Sequence, residues 1–188
     1  MAWWPLRKSS SESLSVSMAG IKLGDRLLVV GCTDPILLAQ LAVKTGLTGR
    51  AFAVDEREPV VTAAADIAAR EGALVETAAA PWNSLPVESD SFDVAVVRDV
   101  LPHLAAHRRS ACIAEVGRVL RPGGRCLVID GNVRKGLSAL VPAGSDPGDY
   151  QTQGGPVQVF TAQGFKAARI LAEREGLVFA EAVKPAAA

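Results

Sequence analysis

From about Gly24 to Asp130 the chain alternates short apolar runs with stretches of helical spacing. Residues 26–30 (RLLVV) read as a strand ending at Gly31, and 35–45 carry helical spacing that closes on Gly46. Residues 50–54 repeat the strand pattern and end on Asp55, after which Pro59 opens an alanine-rich helix that stops near Gly72. A third strand is expected over 73–77, a turn region over 81–90, and a strongly apolar strand over 92–98. Ile113, Val116, Val119 and Leu120 then form one helical stripe, broken by Pro122-Gly123-Gly124 before a strand over 125–130.

Strands separated by helices of this length imply right-handed parallel crossovers, and so a doubly wound α/β sheet. Such a sheet binds ligands beyond the carboxyl ends of its strands, near the reversal of strand order. That places a site at Gly31 to Asp34, Asp55, Ala79 to Trp82 and Arg98 to His103. Residues 131–155, rich in Gly, Pro, Asp and Ser, show no sustained period and read as a long loop. After Phe165, KAARILAERE is compatible with a helix, but Gly176 divides it from LVFAEAV, and an antiparallel hairpin is preferred. The sheet then has seven strands, mainly parallel.

With 188 residues, 49% of them apolar, the chain suits one domain, assigned to 20–188 behind an N-terminal tail over 1–19. Twenty basic residues balance twenty acidic ones, so no field favours nucleic acid. Three cysteines without paired spacing suit reduced thiols and a cytoplasmic location. The tail combines Trp3 and Trp4 with Arg7 and Lys8. It reads as flexible or as covering a pocket, and peripheral membrane contact is the other reading. No cluster has metal-ligand spacing, so no metal is expected, and no nucleophile-elbow triad is present.

The order of strand, Gly31-Cys32, strand ending on Asp55, LPVESDSFDVAVV and EVGRVLRPGGRCLVID resembles the class I S-adenosylmethionine-dependent methyltransferases. LPVESDSFD, Arg98-Asp99-Val100 and the final hairpin are most similar to the ubiquinone/menaquinone C-methyltransferase branch. The resemblance covers roughly residues 20–184 and implies S-adenosylmethionine as cofactor. It implies cofactor contacts at Gly31, Cys32, Thr33, Asp55, Glu56, Ala80, Trp82 and Arg98, with Asp55 facing an open crevice to meet the ribose hydroxyls. Asp99 and His103, beyond the fourth strand, are the candidate proton acceptors for the methyl acceptor, their alternatives being a helix-capping Asp and a surface His. Trp82 either covers the adenine or simply packs, and Cys32 is a small buried filler rather than a nucleophile. His107, Arg108 and Arg109 read as a solvated face.

Where the family has a GxGxG turn, this chain has Gly31-Cys32-Thr33-Asp34-Pro35, and Val29 stands at the usual acidic place. Asp34 brings a negative charge near the expected methionyl carboxylate, while Thr33 or Asp34 with Pro35 makes a sound helix start. Two functions follow: methyl transfer to a small, quinone-like or lipidic acceptor, or a catalytically inactive methyltransferase-like subunit serving a protein partner as a structural or regulatory element. A binding protein for another nucleotide is a weaker third.

Overall fold

In a computed structural model, which describes residues 10–131 and 147–186, the helices α1 (Ser10–Ala19), α2 (Pro35–Thr45), α3 (Glu58–Arg70), α4 (Ala106–Val119), α5 (Pro147–Thr152) and α6 (Gly155–Ala162) pack against a single sheet. Its strands are β1 (Arg26–Val30), β2 (Arg50–Asp55), β3 (Glu76–Ala79), β4 (Phe92–Arg98), β5 (Leu120–Gly131), β6 (Lys166–Arg174) and β7 (Leu177–Val183), with a 3₁₀ turn over Leu101–His103. The strand order is β3-β2-β1-β4-β5-β7-β6. The first five strands pair in parallel and β7 lies antiparallel to β5 and β6. The expected seven-stranded, mainly parallel sheet with a C-terminal hairpin is what forms.

The local reasons are legible. Asp34 caps α2, its Oδ1 accepting the Leu37 N–H at 3.1 Å, and Pro35 occupies the first turn, where its missing N–H costs nothing. In β1, four consecutive residues are buried because helices cover both faces of the sheet. Leu28 and Val30 belong to the apolar layer beneath α4 and α6, and Leu27 and Val29 to the layer beneath α2 and α3. The β6–β7 turn has Glu175 at φ 55° and Gly176 at φ 75°, the paired positive values of a type I′ hairpin, and this explains why KAARILAERE is strand and not helix.

Three expectations need correction. The third strand runs over Glu76–Ala79, not 73–77, because residues 71–75 are needed to carry the chain from α3 to the sheet edge, and Leu74 is left 78% exposed on the way. Within the expected loop over 131–155, Pro147–Thr152 is helical, held by the fully buried Tyr150; residues 132–146 lie outside the described residues. Of the tail, residues 10–19 form α1. Ala19 is fully buried, and Arg125 of β5 donates to the carbonyls of Met18 and Ala19, which places a cation on the helix's C-terminal end. Trp3 and Trp4 lie outside the described residues. Among the described residues no helix is long and apolar enough to cross a membrane.

At the amino ends of the parallel strands, Asp93 accepts the Arg26 N–H at 2.8 Å, Arg26 Nε at 3.2 Å and Arg121 Nε at 2.5 Å. Burial alone would raise its carboxyl, but these bonds outweigh it and hold it down at about 2. The turn segment before β4 is stapled to α4 by Arg118, which donates to the carbonyls of Leu85 and Val87 at 3.0 Å each and pairs with Glu115 at 2.9 Å.

Gly31 has φ 93°, and a Cβ there would lie 2.4 Å from the Arg98 carbonyl oxygen and 2.7 Å from Val100 Cγ2. Gly31→Ala therefore combines left-handed strain with a backbone clash, and urea unfolding should show a loss of about 2–4 kcal/mol. Asp93 has a lowered folded-state pKa, so its stabilising contribution is present above the ordinary value of 3.8 and disappears as pH falls toward about 2. Acid titration of stability should give a steeper loss between pH 4 and 2 in the wild type than in Asp93→Asn; parallel curves would remove Asp93 as the cause.

Candidate functional site

Strand order reverses between β1 and β4, and the carboxyl ends of β1, β2 and β4 converge there. Gly31 leaves β1 with its N–H on the Val54 carbonyl at 2.8 Å. Its lack of a side chain is required by the contact with β4, whatever ligand the turn holds. The next amide, Cys32 N–H, donates to Asp55 Oδ2 at 3.0 Å. Cys32 is buried, and that burial pushes its thiol up to about 12, which leaves the side chain a filler, with no nucleophilic role. Thr33 is exposed at the tip of the turn.

Asp55 does not face an open crevice: it is 0% exposed. Besides Cys32 N–H it accepts the Arg57 N–H at 3.1 Å, Arg57 Nε at 3.0 Å and Arg57 Nη2 at 3.2 Å. Four donors fill the four lone-pair sites of a carboxylate. Desolvation works to raise its pKa, but the bonds from Arg57 and Cys32 prevail and hold it below the usual carboxylate range. Two of the four donors come from the Arg57 side chain, which is 55% exposed.

Glu56, the neighbouring candidate, pairs with Arg108 at 2.5 Å across the crevice and accepts the Trp82 N–H at 3.4 Å. Arg108 is therefore engaged with the site, where the sequence pattern suggested a solvated face. Ala80 is tied to β2 by its N–H on the Asp55 carbonyl at 3.1 Å. Trp82 packs against the apolar layer under α4, yet its indole Nε1 is buried without a hydrogen-bond partner.

Arg98, the last residue of β4, lies between two acids. Its Nη1 is 3.3 Å from Asp99 Oδ2 and donates to the Ile129 carbonyl at 3.2 Å. Its Nε lies 3.7 Å from Asp34 Oδ2, near enough for charge pairing but too long for a hydrogen bond, and that buried N–H has no partner. Asp34 thus stands beside a cation that it shares with Asp99. Asp99 adopts φ 54°, an unusual conformation for a non-glycine residue, with Oδ1 accepting the Gly131 N–H at 2.8 Å and its side chain 34% exposed. His103 is exposed on the 3₁₀ turn and makes no side-chain contact with Asp99 among the described residues.

Sequence reasoning missed four participants. Arg57 lies two residues beyond Asp55 and carried no periodic signal. Arg109 is 5% exposed, not solvated; it falls on the same helical face as Cys112, Ile113 and Val116, so its spacing did mark it as inward. Asp130 and Tyr150 form a buried pair, the tyrosine hydroxyl donating to Asp130 Oδ2 at 2.9 Å. Burial is the largest influence on Asp130 and pushes its carboxyl up to about 7.

Residues 28–128, just over half of the chain, match the family of methyltransferase domains. The ubiquinone/menaquinone biosynthesis C-methyltransferase UbiE of Chromobacterium violaceum is 26% identical over 119 residues, covering 63% of this chain and 48% of that protein. The UbiE of Bordetella parapertussis is 28% identical over the same length and 45% covered; this chain's match spans about half the length of these relatives. Among solved structures, an S-adenosylmethionine-dependent methyltransferase from Aquifex aeolicus superposes with a TM-score of 0.74 at 18% identity, covering 92% of this chain and 89% of that one. The [4+2]-cyclase SpnF superposes at 0.69 with 18% identity, covering 94% and 80%, so the same fold also serves another chemistry. With the matched segment running from β1 to β5 and carrying the Gly31 turn, Asp55 and Arg98, the chain belongs to the methyltransferase domain family and has its Rossmann-like class I fold.

Proposed function

We propose that this chain binds S-adenosylmethionine across the carboxyl ends of β1, β2 and β4 and transfers its methyl group to a small acceptor of quinone-like or lipidic character. The observation that carries the reading is a pair of buried donors without partners, Arg98 Nε and Trp82 Nε1, on opposite flanks of the Gly31–Asp55 junction. A buried donor left unpaired is costly, and a ligand acceptor atom relieves it. The residues fit the cofactor on this basis. Arg98 Nε suits the methionyl carboxylate, and Trp82 Nε1 suits an adenine ring nitrogen, in a chain that has Ala79, Ala80 and Pro81 where an acid would otherwise meet the adenine amino group. Asp55 suits the ribose hydroxyls once two Arg57 donors are exchanged for two hydroxyl donors.

The bound cofactor supplies an electrophilic methyl on a sulfonium. What remains for the protein is orientation and charge placement. Asp99, held by Gly131 N–H and Arg98, is the carboxylate positioned to accept the acceptor's proton. The quinone-like character of the acceptor is drawn from the names of the UbiE relatives. The alternative of a catalytically inactive subunit rests on the loop Gly31-Cys32-Thr33-Asp34-Pro35, with side chains where the family has glycines and a negative charge at Asp34; of these, the charge lies beside Arg98.

Calorimetry with S-adenosylmethionine and S-adenosylhomocysteine should register binding of both. Arg57→Ala should tighten it by up to about fivefold, the equivalent of ~1 kcal/mol for a half-exposed ion pair that no longer competes. Asp55→Ala should weaken it by ~1–3 kcal/mol. An unchanged dissociation constant in both variants would remove Asp55 from the ribose site, and no heat with either ligand would sink the reading.

A further inference from the structure

Between the facing sides of α4 and α6 and Tyr150 of the short helix α5 lies a cavity of about 260 Å³ that shares no lining residue with the crevice at the strand ends. Among the described residues that line it, Arg109 is the one that carries a charge. The side chain is deeply buried, with Nε donating to the Leu101 carbonyl at 3.0 Å and the guanidinium 4.6 Å from the centroid of the Tyr150 ring. Its partners among the described residues are thus a carbonyl and an aromatic ring, and no carboxylate pairs with it. The nearby acid, Asp130, takes the Tyr150 hydroxyl instead, and burial pushes its pKa to about 7, so it is an incomplete counter-charge at neutral pH. The guanidinium stays charged throughout. A buried cation without a counter-ion is an expensive arrangement that an anionic ligand would relieve.

The rest of the wall points the same way. The cavity is open to Ala106 and Gly155, the first residues of α4 and α6, and both helices start without a side-chain cap and without an acid in the first turn. The positive dipole ends of both helices lie at the edge of this space. Ser110, Gln153 and Gln158 add uncharged polar groups to the same wall. The Tyr150 ring and Val159 give the cavity apolar walls as well, and its volume exceeds what an inorganic anion would fill.

We propose that this cavity binds a small organic anion, a carboxylate or phenolate on a ring-sized frame, with Arg109 as the recognising cation and the Tyr150 ring and Val159 as the apolar wall against which the frame packs. Calling that anion the charged end of the methyl acceptor rests on the methyltransferase reading above; the binding itself does not.

The probes are benzoate and its uncharged analogue benzamide, titrated calorimetrically into the full chain at low salt without any cofactor. Benzoate should bind at least about tenfold more tightly than benzamide, and its affinity should fall with added salt. Arg109→Gln should weaken benzoate at least tenfold. Because Arg109 is buried, Gln158→Glu is the second variant: Gln158 lines the cavity but is exposed, so an acid there should repel benzoate while leaving the thermal unfolding midpoint and benzamide binding unchanged. Equal affinity for the two probes, no benzoate binding, or undiminished benzoate binding in Gln158→Glu would each overturn the proposal. Benzoate binding in a protein that gives no heat with S-adenosylmethionine would uphold the cavity and sink the methyltransferase reading; S-adenosylmethionine binding without benzoate binding would do the reverse.

Discussion

A carboxylate at the buried end of a strand has to be surrounded by donors or it cannot remain ionised there. Asp55 meets that demand with one donor from the turn after β1 and three from Arg57. The consequence spreads outward. The Cys32 amide is drawn onto β2, which fixes the turn that starts α2, while Gly31 has to lie flat against the Arg98 carbonyl. The Ala80 amide closes on the backbone oxygen of Asp55 and brings the segment after β3 to the same place. One buried acid thus assembles the three backbone segments that make the crevice.

The crevice is laced by arginines: Arg57 on Asp55, Arg108 on Glu56, and Arg98 between Asp34 and Asp99. Partly exposed ion pairs of this kind are weak and exchangeable, unlike the apolar layers on the two sheet faces. That contrast suits a site that has to release its internal partners when a ligand arrives. It also accounts for the departure of Gly31-Cys32-Thr33-Asp34-Pro35 from a glycine-rich loop. Asp34 is kept as the helix cap, and its charge lies beside Arg98 of β4. At the end of β5, the Asp130–Tyr150 pair with Arg109 uses burial differently, leaving a cation that no acid among the described residues fully answers.

Local pattern was a sound guide wherever an element depends on its own periodicity. The apolar β1 and β4, the capped start of α2, the α4 stripe and the hairpin turn at Glu175-Gly176 all follow from neighbouring residues, and the order of these elements was enough to imply the parallel sheet and the location of its ligand edge. The resemblance carried by 92–130 agreed with that order, since the SFD strand and the LRPGG segment fall on β4 and β5. Local pattern was a poor guide to β3 and α5, one a four-residue edge strand and the other a six-residue helix. Neither is long enough to stabilise itself, so docking decides where each begins.

The sequence by itself therefore determined the fold class, the strand ends at which a site is expected, and the candidacy of Asp55, Arg98 and Asp99, because periodicity and caps act over a few residues. Tertiary structure alone decided what each charged group meets. Asp55 is closed by Arg57, Glu56 meets Arg108 from a helix, 52 residues away in the chain, and Arg109 turns inward beside a tyrosine from a segment that reads as loop. His103 stayed outside these contacts for the same reason. Pairing of charges is set by distance in space and by how much water is excluded, and neither quantity is written in the spacing of residues along a chain.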